Sequence, residues 1–330
     1  MTMTTHRKKT APDARMQKHV RIGISGWKYE PWRGNFYPEA LTQKDELAYA
    51  SHALPTIEIN STFYGLRTPA NFASWYADTP ADFVFSVKAS QRITHRSGLK
   101  GVEAPIARFL ASGLFELKEK LGPILWQFPP WLQFDAARFE AFLALLPHDT
   151  TDAHAFIAKH LPGDHAEVAE KHRLRHAIEV RHESFVDPSF IALLRKYKAA
   201  LVVADTGGKW PEFGDVCTDF LYLRLHGAAD LYHSNYIGKV IDTWAARIHA
   251  WYEGRQPDDM PVISGTAAPA RVHRDVFCYF DNTEKVNAPR NALSMLGKLG
   301  IPQTNDFEPR PSRGARAAKA ANTASTAKTG

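Results

Sequence analysis

Eight short apolar runs alternate along this chain with longer segments whose apolar residues recur at helical spacing. The runs cover residues 21–26, 56–60, 83–88, 122–128, 176–181, 200–205, 220–226 and 275–281. Strands that alternate with helices are typical of a parallel α/β sheet. Eight such units predict an α/β fold in which residues 20–302 form a single-domain (β/α)8 TIM barrel.

Capping residues and prolines mark the starts of several connecting helices. Thr68 and Asp187 each precede a proline, which places a side-chain acceptor directly before the first helical position. Asp135 and Asn287 are expected to cap two further helices. The link over residues 206–219 is too rich in glycine and proline for a full helix, so we expect one irregular connection.

The polar residues of these strands occupy alternate positions, which are called here one parity of the strand. In strand 56–60, Ile57 and Ile59 alternate with Glu58 and Asn60, and alternate side chains of a strand face opposite sides of the sheet. In the other strands, polar residues alternate with apolar neighbours in the same way. They are Ser86, Lys88, Gln127, Glu179, Arg181, Asp205, Arg224, His226 and Asp281. The outer face of a barrel packs against helices and must be apolar, so the polar parity is predicted to point inward.

These polar residues also come late in their strands, at the end where barrel active sites are built. Buried charges without partners are costly, so groups of this kind must pair with one another or bind a ligand. One interpretation is a self-satisfied network of ion pairs that closes the barrel. The other is a binding or catalytic site, which we favour because eight ionisable groups exceed what closure requires.

The basic character of the chain lies in its two ends. Of the formal net charge of +6, residues 1–19 contribute +4 and residues 303–330 contribute +3, which leaves −1 for the segment between them. The carboxyl end is mostly Ala, Thr, Ser, Arg and Lys, with little apolar surface to bury. We expect disordered basic tails over 1–19 and 303–330, and contact with nucleic acid only through them.

Cysteine usage and hydropathy indicate the compartment. The chain has two cysteines, Cys217 and Cys278, whose spacing fits neither a disulfide framework nor a thiolate zinc site. No segment approaches the roughly 20 apolar residues that span a bilayer, and residues 1–18 lack the apolar stretch of a secretory signal. We therefore expect a cytoplasmic protein with no membrane partner.

Ordered motifs along the barrel segment resemble a known family. They are Gly23-Ile24-Ser25-Gly26-Trp27-Lys28-Tyr29, Glu58-Ile59-Asn60-Ser61-Thr62-Phe63-Tyr64, Phe85-Ser86-Val87-Lys88, Gln127-Phe128-Pro129-Pro130, Glu179-Val180-Arg181-His182, Arg224-Leu225-His226-Gly227 and Tyr279-Phe280-Asp281-Asn282. Together they resemble the DUF72 family, also called the YecE-like family, over residues 21–299. The resemblance implies a (β/α)8 barrel, in agreement with the alternation of polar and apolar residues in the predicted strands. The family has no assigned biochemical activity, so the resemblance implies no reaction.

The mixed charge at the predicted mouth favours a binder or enzyme that acts on a small anionic or phosphorylated ligand, since arginine suits bidentate contacts to oxyanions. Acid–base catalysis is expected from Glu58, Glu179 and His226. Ligand contacts are expected from Lys88, Arg181, Arg224, Asn60, Gln127, His95, Asp281, Trp27 and Tyr64. We favour an enzyme whose class the sequence does not indicate, and we predict no cofactor.

Two alternatives remain open at this stage. In the first, a divalent metal serves a hydrolase or isomerase and is held by Glu58, Glu179, Asp205, His226 and Asp281. Lys88, Arg181 and Arg224 compete for the same carboxylates, which weighs against it. In the second, the protein is a non-enzymatic nucleic-acid binder whose mouth aromatics stack on bases. The sequence indicates neither the substrate, nor the oligomeric state, nor the role of the histidine-rich segment 148–176.

Overall fold

Eight parallel strands close into one barrel in the computed structural model of this chain, which describes residues 15–96, 98–163, 170–227, 235–282, 286–303 and 306–307. The strands are β1 Val20–Ser25, β2 Thr56–Ile59, β3 Val84–Lys88, β4 Leu121–Gln127, β5 His176–Glu179, β6 Ala200–Asp205, β7 Phe220–Leu225 and β8 Asp275–Phe280. They follow one another in sequence order, and β8 pairs with β1. The predicted (β/α)8 barrel is confirmed.

Helices connect the strands on the outside of the barrel. They are α1 Met16–His19, α2 Glu46–Ala53, α3 Ser61–Tyr64, α4 Pro69–Ala77, α5 Gln91–Thr94, α6 Glu103–Leu110, α7 Ala136–Leu143, α8 Thr150–His160, α9 Pro188–Lys196, α10 Lys239–Tyr252 and α11 Ala288–Lys298. The link over 206–219 contains no helix, as predicted. No helix in the described ranges is long and apolar enough to cross a membrane.

The predicted caps are confirmed at three of four helices. Thr68 forms a capping box at α4, Asp187 accepts from the Ser189 N–H at α9, and Asp135 caps α7. The prediction for Asn287 was wrong, because its side chain makes no capping hydrogen bond at α11. Its backbone is already helical (φ −89°, ψ −17°), whereas a capping residue normally has extended backbone angles.

Apolar side chains form two separate layers. The larger layer lies between the strands and the helices. The smaller one fills the inside of the barrel and consists of Leu125, Ala177, Ala200, Val202, Ala204, Phe220, Tyr222, Phe277 and Tyr279. The barrel wall is tight at β1, where a Cβ on Gly23 would lie 2.0 Å from the carbonyl oxygen of Thr56.

The register places most of the predicted polar parity inside, with Asp205 as an exception. Residues opposite one another in neighbouring strands share a face, and Ala204 pairs with Arg224 while Asp205 pairs with Leu225. Asp205 therefore faces the helices, where its carboxylate accepts hydrogen bonds from Trp244 at 3.1 Å and Tyr236 at 3.0 Å. The predicted inward orientation of Asp205 was wrong because β6 is apolar on both parities.

The described part of the chain extends beyond the predicted barrel at both ends. Residues 15–19, expected in a disordered tail, include helix α1, where Met16 is buried and His19 Nδ1 lies 2.6 Å from Asp275 Oδ1. At the other end, Phe307 packs edge-on against the ring of Tyr49. Residues 15–19 and Phe307 are therefore packed and not disordered, while the division at 19 and 303 stays a prediction. The rest of both predicted tails, 1–14 and 308–330, lies outside the described residues.

Candidate functional site

Arg224 lies at the centre of a buried cluster near the carboxyl ends of the strands. It is 1% exposed. Its Nε and Nη2 donate to both carboxylate oxygens of Glu58 at 3.0 and 2.9 Å, Nη1 donates to Glu179 at 2.8 Å, and Nη2 also donates to Asp281 at 2.6 Å. Burial would lower the pKa of Arg224, but the three carboxylates raise it well above its ordinary value. This guanidinium is therefore permanently charged.

Glu58 accepts four hydrogen bonds and has no free acceptor position. Ser25 and Arg224 donate to Oε1, while Tyr222 and Arg224 donate to Oε2, over distances of 2.6 to 3.0 Å. A carboxylate presents about four lone-pair positions. The geometry therefore disfavours the predicted role of Glu58 as a general base and assigns it to holding Arg224.

Glu179 is held ionised between two arginines. Arg181 donates to its Oε1 through Nε at 2.8 Å and lies 2.7 Å away through Nη2, while Arg224 contacts Oε2. Burial alone would raise the pKa of Glu179, but these two positive charges outweigh it and hold the pKa far below its usual range. A carboxylate of this kind is a poor proton acceptor near neutral pH, so the geometry also disfavours its predicted catalytic role.

His226 lies beside the same cluster as a neutral imidazole. Its Nε2 is 3.3 Å from Arg224 Nη1, and its Nδ1 is 3.4 Å from Asp281 Oδ2. Burial and the charge of Arg224 lower its pKa, and the neighbouring carboxylates offset this only in part. Near neutral pH, His226 therefore has one unprotonated ring nitrogen that could accept a proton. Its catalytic role stays a prediction.

Lys88, at the end of β3, is buried without a hydrogen-bond acceptor in the part of the chain that the structure describes. Its ammonium group lies over the ring of Phe63, 4.3 Å from the centroid. Burial, followed by the positive charge of Arg224, lowers the pKa of Lys88 to about 8, although Glu179 and Glu58 oppose the shift. Lys88 therefore differs from Arg224 and Arg181, which are bonded to carboxylates.

His95 and Gln127 lie next to this lysine. Burial, Lys88 and Arg181 together lower the pKa of His95 to about 4, so its imidazole is neutral near pH 7. Thr94 Oγ1 is 2.8 Å from His95 Nδ1, and Gln127 Nε2 is 3.5 Å from His95 Nε2. The predicted placement of both residues at the mouth agrees with this geometry.

Three other predicted ligand contacts have different surroundings. Asn60 directly precedes α3, and its buried Oδ1 has no partner among the described residues. Tyr64, at the end of α3, is 76% exposed. Trp27 is 7% exposed, and its ring packs edge-on against Trp75, so its ligand contact stays a prediction.

The alternative metal set is not assembled. Asp205 faces the helices, and Arg224 occupies the space between Glu58, Glu179 and Asp281. Throughout the described ranges, no group of three or more His, Cys, Asp or Glu side chains is arranged to hold a metal ion. The geometry therefore does not favour the metal-dependent hydrolase or isomerase.

A cleft of about 780 Å³ opens beside Arg181. Its lining includes His182, Lys209 and Trp210 as well as Arg181. The guanidinium carbon of Arg181 lies 3.9 Å from the ring centroid of Trp210, and the side chain of Arg181 is 13% exposed. The cleft thus combines a flat aromatic surface with positively charged groups.

Sequence reasoning missed several residues of this site. Ser25 and Tyr222 donate the two hydrogen bonds to Glu58 that do not come from Arg224, and the ring of Trp210 stacks on Arg181. The parity that found Arg224 also contains Tyr222 two residues earlier, so the same alternation could have identified it. Trp210 lies in the irregular link after β6, and an aromatic residue in a loop at the carboxyl end of a barrel strand is a usable signal.

A family comparison agrees with this barrel. The sequence profile described as "Protein of unknown function DUF72" matches residues 21–315. The chain belongs to the DUF72 family. Among DUF72 relatives, the UPF0759 protein YunF of Bacillus subtilis (strain 168) is 32% identical over 139 residues, which cover 40% of this chain and 48% of YunF. The UPF0759 protein YecE of Escherichia coli (strain K12) is 26% identical over 166 residues, 50% of each chain. The chain therefore spans about half the length of these curated relatives.

Solved DUF72 structures share the barrel. The DUF72 family protein of Thermotoga maritima MSB8 has a TM-score of 0.64 and 23% identity, and the match covers 85% of this chain and 99% of that one. The DUF72 family protein of Enterococcus faecalis V583 has a TM-score of 0.62 and 19% identity, with 88% and 99% covered. At these identities the likeness shows the fold alone. It confirms the barrel that the resemblance implies, while the sequence profile confirms the family.

Proposed function

We propose that the mouth of this barrel binds a small anionic ligand, a carboxylate or a phosphate, between Lys88 and Arg181. The observation that carries the proposal is Lys88, a residue only 9% exposed whose ammonium group lies over the ring of Phe63 and makes no hydrogen bond or ion pair with a described residue. A buried donor without a partner is costly, and a ligand oxygen placed beside it removes that cost. The proposal therefore gives Lys88 the partner that the protein itself does not provide.

Arg181 supplies the second positive group. Its contacts with Glu179 use Nε and Nη2, which leaves the outer edge of the guanidinium toward the cleft that Trp210 also lines. Arg224, by contrast, is committed to three carboxylates and has no edge to offer. We thus replace the predicted ligand contact at Arg224 by a supporting role for that residue.

The alternative of nucleic-acid binding through the basic tails depends on residues 1–14 and 308–330, which lie outside the described part. No contact within the described ranges favours it. The segment between the tails has a formal charge of −1, which disfavours a long nucleic-acid footprint. The anionic ligand is therefore the proposal that the geometry supports best.

Calorimetric titration with oxalate, inorganic phosphate and pyrophosphate tests the proposal. We expect saturable binding of at least one anion and a loss of about tenfold or more in affinity in K88M. The matched control is K196M, which removes the same charge from an exposed lysine paired with Glu140. Equal affinity in K88M and the parent, or no saturable binding of any of the three anions, would refute the proposal.

A further inference from the structure

Two lysines are buried in the described part of the chain, and only one of them has acceptors. Lys120 Nζ donates to the carbonyl oxygens of Tyr76 and Thr79 at 2.7 and 2.8 Å and to Thr79 Oγ1 at 3.1 Å. Lys88 has none of these contacts, although both ammonium groups lie 4.3 Å from an aromatic centroid. Burial lowers the pKa of both lysines, but only the ammonium group of Lys120 is bound directly by acceptors.

The surroundings of Lys88 increase the fraction of neutral amine. Burial and the nearby charge of Arg224 lower its pKa to about 8. At pH 7 about a tenth of such lysines carry no proton, roughly 300 times the fraction expected at an ordinary lysine pKa. A desolvated lysine beside another cation is the arrangement that activates amine nucleophiles.

We infer that Lys88 is a nucleophile that forms a Schiff base with the carbonyl carbon of an anionic aldehyde or ketone. The inference rests on the proposed function, because the anionic group of the ligand is placed against Arg181. The carbonyl group is then placed toward Lys88. The substrate class is therefore a small 2-oxo acid or a phosphorylated aldehyde or ketone.

The condensation balances without an oxidant or a reductant. The neutral amine of Lys88 forms a C–N bond to the carbonyl carbon, and the carbonyl π electrons move to oxygen, which takes up a proton. The nitrogen then loses a proton, and protonation of the hydroxyl group releases it as water, which leaves a protonated imine. The protonated imine carries the same positive charge as the original ammonium ion. The nearby carboxylates of Glu179 and Glu58 therefore stabilise the imine as well as the ammonium ion.

A proton carrier lies close to this lysine. The ring of Phe63 contacts both the ammonium group of Lys88 and the ring of His95, whose centroid is 5.0 Å away. The imidazole of His95 is neutral at pH 7, because its pKa is about 4. With this low pKa His95 is a weak base and holds a proton only transiently, so its role is to pass the proton that the nitrogen releases on to the departing hydroxyl group.

Reductive trapping tests the inference. The full-length protein is incubated with pyruvate, glyoxylate or dihydroxyacetone phosphate in the presence of sodium cyanoborohydride, and the labelled lysine is located by peptide mass spectrometry. We expect one adduct per chain on the peptide that contains Lys88, at least about tenfold more labelling than at exposed Lys196, and none at Lys120. K88R keeps the charge and loses the nucleophile, so its adduct should disappear.

Two results overturn the inference. One is the absence of an adduct at Lys88 with all three carbonyl compounds. The other is labelling of Lys88 no greater than that of Lys196. Titration of the same preparation with oxalate, inorganic phosphate and pyrophosphate separates this failure from failure of the proposed function. Binding of any of the three anions without trapping refutes the Schiff base alone, and the absence of both binding and trapping refutes both. Circular dichroism of K88R verifies that the variant is folded.

Discussion

Replacing Arg224 with methionine tests whether this guanidinium neutralises the buried carboxylates. Arg224 makes two hydrogen bonds with Glu58 and one each with Glu179 and Asp281. Methionine has a similar length and no charge. Removing one partner of a buried ion pair costs about 3–5 kcal/mol, because the charges left behind remain desolvated. We expect R224M to lose about this much free energy of unfolding near neutral pH.

The loss should depend on pH. In the parent, Arg181 and Arg224 hold the pKa of Glu179 far below its unfolded value, so its stabilising contribution is present at neutral pH and is lost only as the pH falls through the folded pKa. Without Arg224, Glu179 keeps its burial and loses one of the two arginines that offset it, so its pKa rises relative to the parent and protonation at lower pH relieves the less-compensated charge. The deficit of R224M should therefore shrink between about pH 7.5 and about pH 5.5.

Urea unfolding of both proteins at the two pH values measures the deficit. R173M is the matched control, because Arg173 makes a two-bond pair with Asp219 but its side chain is 49% exposed. A surface pair of this kind contributes about 0–1 kcal/mol. A loss below about 1 kcal/mol in R224M, or a deficit that is the same at both pH values, would refute the assigned role of Arg224.

Three further substitutions have expected outcomes. Burial and the charge of Asp205 raise the pKa of Glu212 to about 7. The folded state then binds more protons, so stability falls as pH rises from about 4.5 to about 7; in E212Q this decline should be smaller by about 1–2 kcal/mol, allowing for 30% exposure of the side chain. G23A should prevent formation of the barrel, because its Cβ would overlap the carbonyl oxygen of Thr56. Y222F removes the hydroxyl that donates to Glu58 at 2.6 Å and should cost about 1–3 kcal/mol.

Each of these substitutions has a control in the chain. Urea titrations across pH measure E212Q, and an unchanged pH dependence would contradict the raised pKa. G65A is the control for G23A, since a Cβ on Gly65 meets nothing within 4 Å; soluble, folded G23A would show that the wall is looser than described. Y197F removes a partly exposed hydroxyl from Glu140, and an equal loss in both tyrosine variants would argue against a special role for Tyr222.

The interior of the barrel could be predicted where one parity of a strand is clearly polar. In β2, β5 and β7 the alternation is clear near the carboxyl end of the strand, and Glu58, Glu179 and Arg224 meet inside the barrel. In β6 both parities are apolar until Asp205, so the alternation held no information about its direction. The pairing of Asp205 with Leu225 fixes the outward orientation, and that register depends on the closure of all eight strands.

The burial of loop residues could not be predicted in the same way. Trp27 and Tyr64 are both aromatic residues in segments that follow strands, yet Trp27 packs against Trp75 whereas Tyr64 is exposed. Neither residue belongs to a periodic pattern, and periodicity is the signal that assigns a face. Contacts between distant segments decide such positions.

The sequence by itself determined the barrel, its strands and the set of ionisable groups at the mouth, because strand alternation and helix capping are local properties that each segment carries alone. Only the tertiary structure decided how those groups pair. The sequence does not distinguish the three cations Lys88, Arg181 and Arg224, because each is a positive charge on the inward parity near the end of a strand. Arg224 reaches three carboxylates, while Lys88 reaches none within the described residues. Hydrogen bonding acts over about 3 Å, so it depends on side-chain positions that strand periodicity does not specify.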